Sequence, residues 1–258
     1  MSTAADHYVT SAPSAQNAID LFKDEWSSQF PPEAGPVQAG EWKLFEDTRL
    51  AWGLARLGGI AGGRALELGP LEAGHTYMLE RAGATSVIAV EGNTRAYLKC
   101  LIVKEILGMK RAQFLCGDFV EYLRTAPGTF DLCVASGVLY HMKNPVELIG
   151  LLSRVTDRLY LWSHYFDKSM MAPDLAAKFS KGIAAEHDGF GHTLYRQSYG
   201  ESAQRPGFCG AGTRFSHWMG HDDVLACLRH YGFTRIDVDY PARDHPYGPN
   251  FAIAAARS

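Results

Sequence analysis

Ala65-Leu-Glu-Leu-Gly-Pro-Leu-Glu-Ala-Gly-His-Thr76 decides the fold. A short apolar run carries Glu67, turns at Gly69-Pro70, reaches a second glycine at Gly74 and continues as a helix. Strand, tight turn and helix start are the parts with which open α/β folds hold a nucleotide. The loop excludes two of the usual guests. A dinucleotide turn wants G-x-G-x-x-G, and Leu71 stands at the second glycine. A P-loop wants a lysine after its last glycine, whereas here His75 follows Gly74 and Glu72 adds a carboxylate that repels phosphate. A ligand without phosphates suits this loop.

The chain on either side alternates. Strands are predicted at 64–68, 86–91, 112–116, 130–135 and 158–163, with helices from 74 and over 93–107, 118–124 and 145–155 between them. Short apolar strands alternating with helices imply a parallel sheet covered on both faces. A helix over 221–231 and strands at 233–239 and 250–256 finish the chain; the link between those strands is too short for a helical crossover, so the last strand runs antiparallel. Upstream, 14–30 reads as an amphipathic helix and 46–57 as a second one. The expected fold is α/β: a Rossmann-like seven-stranded sheet, mostly parallel with the last strand antiparallel, flanked by helices. The expectation is one domain over 1–258, with an N-terminal helical cap (1–60), a core (61–164), a lid insertion without sustained period (165–217) and a C-terminal completion of the sheet (218–258).

Two carboxylates follow successive strands. Glu91 ends the second, about 20 residues past the glycine turn, where an acid suits a ribose diol. Asp118 follows the third, able to accept from an adenine amine with Phe119 beside the ring. Either acid alone reads as a helix cap; the pair beside a glycine turn describes adenosine without pyrophosphate.

The 258 residues carry a formal charge of -3, which argues against a large nucleic-acid footprint. Five cysteines without a CxxC pair read as free thiols in a reducing compartment, and no basic-then-apolar leader or membrane-length apolar run is present. A cytoplasmic protein is expected.

The segments ALELGPLEAGHT, VIAVEGN, FLCGDFVEYL and FDLCVASGVLYHMKNPVEL together resemble the class I S-adenosylmethionine-dependent methyltransferases, over roughly 45–165 and 218–258. That resemblance implies S-adenosyl-L-methionine as cofactor. Glu67, Gly69, Pro70 and Gly74 would shape the methionine end, Glu91 and Gly92 the ribose, Asp118 and Phe119 the adenine, with Ser136 at the end of strand four. Leu71 and Ala73 stand where the family commonly has glycine. A narrower likeness, in Gly137-Val-Leu-Tyr-His141 and Pro145-Val-Glu-Leu148, is to the tRNA wobble-uridine carboxymethyltransferases, which use a carboxylated cofactor; Tyr140 matches one position that reads its carboxylate, and Arg49, or less well Lys43, lies near a second.

Ligands of such sheets bind beyond the carboxyl ends of the strands. Tyr140, His141, His164 and Tyr165, after strands four and five, are therefore expected to face the reacting methyl. His141 is the first choice for a general base and His164 the second, because histidine titrates near neutral pH. His187, His192, Tyr195, Arg196, Tyr199, Arg205 and Arg214 give the insertion a polar lining for a small-molecule or sugar acceptor. His217 and His221 have i,i+4 spacing, but no H-E-x-x-H glutamate accompanies them and no metal is expected. The alternatives are a tRNA-modifying enzyme and a non-catalytic cofactor-binding subunit. Oligomeric state is open.

Overall fold

The computed structural model describes residues 8–201, 210, 212–240, 242 and 245–257. The main sheet has seven strands: β1 (Arg64–Leu68), β2 (Ser86–Glu91), β3 (Ala112–Cys116), β4 (Leu132–Ser136), β5 (Arg158–His164), β9 (Arg235–Asp239) and β10 (Asn250–Ala256). Their order is β3-β2-β1-β4-β5-β10-β9. The first five run parallel; β10 lies antiparallel to both β5 and β9. The strand order reverses between β1 and β4, which is where such sheets open a crevice at their carboxyl ends.

Period-two alternation assigns the two faces. Along β10, Phe251, Ile253 and Ala255 join one core while Ala252, Ala254 and Ala256 join the other, so every residue of the strand is buried. The first core also takes α6 (Pro145–Ser153) and α8 (His221–His230); the second takes Leu50 of α2 (Thr48–Arg56) and Leu79 of α3 (Gly74–Arg81). Side-chain caps start the intervening helices: Asn93 for α4 (Thr94–Ile106), Asp118 for α5 (Phe119–Arg124) and Asn144 for α6.

The N-terminal helix departs from expectation. Only α1 (Ala15–Ile19) and one 3₁₀ turn, Asp20–Phe22, form; Lys23 is extended and Asp24 takes φ 64°. Tertiary contacts override the amphipathic period. The Trp26 indole N–H donates to the Ile19 carbonyl at 2.8 Å, and the N–H groups of Ser27 and Ser28 donate to the Glu72 carboxylate at 3.0 and 2.8 Å. Ile19, Phe22 and Trp26 still reach a third core, against Cys100 and Val103 of α4.

The insertion also differs. In place of irregular chain it holds α7 (Pro173–Ala176) and a three-stranded antiparallel sheet of β6 (Ile183–His187), β7 (Phe190–Ser198) and β8 (Phe215–Met219). Asp188 and Gly189, with φ 49° and 77°, form the two-residue turn between β6 and β7. Asp-Gly between strands is a strong hairpin signal, and it stands in the sequence. The small sheet is anchored on the loop after β4: the His217 N–H donates to the Met142 carbonyl at 2.8 Å and its Nδ1 lies 2.7 Å from the Lys143 carbonyl. No helix among the described residues is long and apolar enough to cross a membrane.

Candidate active site

A cavity of about 1600 Å³ opens at the carboxyl ends of β1, β2, β3, β4 and β5. The glycine turn forms one wall. Gly69 takes φ 64°, and a Cβ there would lie 2.7 Å from the Val138 side chain; Gly74 lies so close to the Leu44 carbonyl that a Cβ would approach it to 2.6 Å. Leu71 and Ala73 adopt left-handed backbone too, at φ 55° and 62°. The turn thus keeps a glycine-like course through residues for which that conformation is strained.

Glu91 fastens this turn. Its carboxylate accepts from the Leu71 N–H at 3.1 Å and the Asn93 N–H at 2.8 Å while lining the cavity. Burial raises its pKa and these backbone bonds pull it back. Glu67, 2% exposed, accepts from the Thr76 hydroxyl; burial pushes its pKa up to about 7, with the neighbouring Glu91 adding to the rise and His75 and Thr76 opposing it. Asp118 caps α5, accepting from the Val120 N–H at 2.7 Å, and also lines the cavity with Phe119. Cap and cavity positions coincide there. Pro70, Gly92 and Ser136 line the same space.

Glu72 is elsewhere. It is 1% exposed and turned into the protein, paired with Lys99 at 3.0 Å and with the Ser27 and Ser28 N–H groups. It does not repel a guest from the loop; it ties the N-terminal segment to the back of the turn.

The other end of the cavity is aromatic. Tyr140 meets His164 at 4.9 Å and Trp162 at 6.1 Å, ring to ring. Trp162 and His164 are i,i+2 on β5 and so share a face, a relation readable in the sequence but not drawn there. His141 Nδ1 lies 2.9 Å from the Tyr199 hydroxyl. Burial lowers the pKa of both histidines to about 4, each helped by a neighbouring histidine. Both rings are therefore neutral at physiological pH. Arg49 lies 4.6 Å over the Trp162 ring, gripped by Asp47 through two hydrogen bonds of 2.9 and 2.6 Å. Asp47 also meets His75 Nε2 at 2.9 Å, and these partners hold its carboxyl well below the usual range against the cost of burial. Sequence reasoning missed this Asp47–Arg49–His75 cluster; its signal was Asp47 as the cap of α2.

Several expected residues do not come to the cavity. Tyr165 is buried and stacked on Phe251 at 5.0 Å. Tyr195 stacks on Phe166 at 3.7 Å, Arg196 covers Phe215 and His192 is buried against Phe190. Tyr199 meets His141 through its hydroxyl; Arg205 lies outside the described residues. His217 is on β8 and His221 on α8, so their spacing never shares a helix face, and His221 is held by Tyr240 and Asp222 at 2.7 Å each.

Residues 66–158 match a family described as a methyltransferase domain. That match spans 93 of the 258 residues, from within β1 to the start of β5. Solved structures share its fold. The N-terminal domain of EvdMO1 with SAH bound is 24% identical, with a TM-score of 0.70 and 95% of each chain covered. The same domain in the presence of SAH and D-fucose gives 23% and 0.69, again over 95% of each; of the longer EvdMO1 structure the chain covers 46%. The 1,6-didemethyltoxoflavin-N1-methyltransferase of Burkholderia thailandensis, with 1,6-didemethyltoxoflavin and S-adenosylhomocysteine, is 15% identical at a TM-score of 0.54, over 94% of this chain and 83% of the other. No curated protein matches.

Proposed function

We propose that this chain transfers the methyl group of S-adenosylmethionine to a hydroxyl or amine of a small, sugar-like acceptor. The observation that carries the reading is one continuous cavity with acids at one end and neutral histidines at the other. Glu67, Glu91 and Asp118 fit a cationic adenosine ligand: these three carboxyl groups, two of them buried, are among those that line the space around a turn that brings bare backbone close. Glu91 and Gly92 would hold the ribose, Asp118 and Phe119 the adenine, and Glu67 with Gly69, Pro70 and Gly74 the methionine end. Bound there, the cofactor would supply an electrophilic methyl on a sulfonium, whose sulfur would keep the electron pair of the carbon–sulfur bond as the acceptor takes the methyl. The chain's own work is alignment and proton removal. Tyr140 and Trp162 wall the acceptor end, and a neutral histidine, His141 or His164, takes the acceptor's proton.

The small-acceptor reading agrees with the solved neighbours, one seen with D-fucose and one with a toxoflavin precursor. The tRNA reading asks Arg49 to bind a cofactor carboxylate, and Asp47 already occupies its fork. A cytoplasmic setting fits the free Cys100, Cys116, Cys133 and Cys227. Calorimetric titration with S-adenosylhomocysteine tests the proposal: wild type binds, and Glu91→Ala and Asp118→Ala each bind more weakly. Undiminished binding in both variants, or none to wild type at millimolar ligand, overturns it. A strong preference for the carboxylated cofactor would move the chain to the tRNA-modifying branch.

A further inference from the structure

Of the two cavity histidines, one has its tautomer dictated by the fold. His164 ends β5, pairs across the sheet with Asn250 and is 6% exposed. Its Nδ1 lies 2.9 Å from the Gly248 carbonyl oxygen and 3.3 Å from that of Pro249. A carbonyl only accepts, so Nδ1 carries the proton and Nε2 of the neutral ring keeps its lone pair. His141 faces the Tyr199 hydroxyl, which can donate or accept, so neither tautomer is imposed on it.

The support of His164 is specific. Its ring lies parallel to Trp218, 5.3 Å between centroids and 13° between planes. Gly248 has φ 104°, and a Cβ there would lie 3.1 Å from Cζ3 and 3.3 Å from Cη2 of the same indole. Trp218 therefore stacks on the imidazole and crowds any side chain at the residue whose carbonyl holds it, where the positive φ is itself strained for anything but glycine. The Pro249 carbonyl also accepts from the Tyr165 N–H at 3.1 Å, and the Gly248 N–H donates to the His245 carbonyl at 2.9 Å, which fixes the strap that carries both carbonyls. Arg49 and His245 oppose charge on the ring, and His164 in turn opposes charge on His141.

We propose that Gly248 is a positioning residue for the methyl transfer: its carbonyl, braced by Trp218, locks His164 in the Nδ1–H tautomer and makes Nε2 of His164 the atom that takes the acceptor's proton. The inference rests on the methyl-transfer reading above. As the proton passes to Nε2 the ring becomes imidazolium, and the Nδ1–H bond to Gly248 becomes charge-assisted and stronger. The carbonyl thus favours the protonated ring at the moment it forms, and the proton leaves to water with the product.

The test is ¹⁵N NMR of histidine-labelled protein saturated with S-adenosylhomocysteine. Wild type shows His164 as a single Nδ1–H tautomer; Gly248→Ala shows a mixture or the Nε2–H form, with cofactor affinity unchanged. His164→Asn is the companion variant, since its amide nitrogen falls near the place of Nδ1 and can keep the bond to Gly248 while supplying no base. On any metabolite fraction from which wild type forms S-adenosylhomocysteine, its kcat falls ~10²–10⁴-fold with the cofactor KM unchanged. A wild-type Nε2–H signal overturns the proposal even if Gly248→Ala does not fold, and so does full turnover in His164→Asn. Failure of wild type to bind S-adenosylhomocysteine overturns the methyl-transfer reading instead, and the tautomer of the free protein is still read.

Discussion

At the cofactor end of the cavity two carboxyl groups, Glu67 and Glu91, are pushed up in pKa; at the acceptor end two histidines, His141 and His164, are pushed down. The first cause is the same at both ends: burial disfavours whichever form is charged. What differs is the second layer. Backbone N–H groups and a threonine hydroxyl surround the carboxyl groups and favour their ionised form. Rings surround the histidines and leave them neutral. On the proposed reading, one end is prepared to become an anion when a cation arrives and the other to receive a proton and pass it on. The ends also differ in how they are held. A buried ion pair, Lys99–Glu72, backs the glycine turn, whereas the acceptor end is fixed by ring packing and by carbonyls of a loop.

The largest way to break this contrast is to cut the ion pair. Lys99→Ala leaves the Glu72 carboxylate buried with only the Ser27 and Ser28 N–H groups, and removing one partner of a buried pair costs about 3–5 kcal/mol. Urea denaturation should show a loss of that size. The ¹⁵N signals of His141 and His164 should stay in place, because the damage lies behind the turn. A change at both ends would mean that the two regions form one unit.

Glu91→Ala comes next and separates the ends by function. Two charge-assisted hydrogen bonds to a ribose are worth about 3 kcal/mol together, so S-adenosylhomocysteine affinity should fall on the order of 100-fold. His141→Ala should leave that affinity within a few fold. Equal losses in the two variants would erase the division of labour between the ends.

How far the sequence carried differs between these regions for a physical reason. β1, β2 and β3 and the turn at Gly69 were legible almost to the residue, because short apolar runs bounded by turns mark the strands of a covered sheet and a left-handed turn asks for glycine. Glu91 and Asp118 followed from their place after consecutive strands. The acceptor end was legible only in part. Tyr140, His141 and His164 arrive there, but Trp218 reaches His164 from β8 and Gly248 from the link before β10, and no local pattern announces contacts made across that much chain. The helix expected over 14–30 failed for the same reason: its period is real, yet Glu72 captures the backbone at Ser27 and Ser28. The Asp188-Gly189 hairpin was a local signal that the histidine and arginine content of the insertion obscured.

The opposed pKa shifts give a pH test. From the unfolded value of 6.5 down to about 4, each histidine binds a proton when unfolded but not when folded, so stability falls as the pH falls. Glu67 does the reverse: between 4.5 and about 7 it holds a proton only in the folded state, so its contribution is present at low pH and lost as the pH rises. Glu91, also raised, opposes the histidines together with Glu67, so between pH 4.5 and 6.5 stability should change less steeply with pH than the two histidines alone would give. Glu67→Gln removes one opposing group and should shift that slope toward a rise with pH, by at most about 1.4 kcal/mol per pH unit. Denaturation midpoints at four pH values read the slope, and an unchanged slope would place the Glu67 pKa near that of an ordinary carboxyl group.

The smallest effect concerns Leu71, where the chain departs from a glycine-rich turn without departing from its backbone course. Holding a non-glycine residue at φ 55° costs about 1–2 kcal/mol. Leu71→Gly relieves that strain, but glycine gives back about 0.5–1 kcal/mol through the freedom it gains in the unfolded chain. It also removes a half-buried side chain from the cavity wall. The terms nearly cancel, so the urea midpoint should move by less than about 1 kcal/mol in stability, while the Leu71 N–H keeps its bond to Glu91. If the variant were instead stabilised by the full strain energy, the leucine side chain would contribute nothing to packing and its presence would answer to the bound ligand alone. A loss beyond about 2 kcal/mol would show that Leu71 packing, rather than turn geometry, holds the cofactor end together.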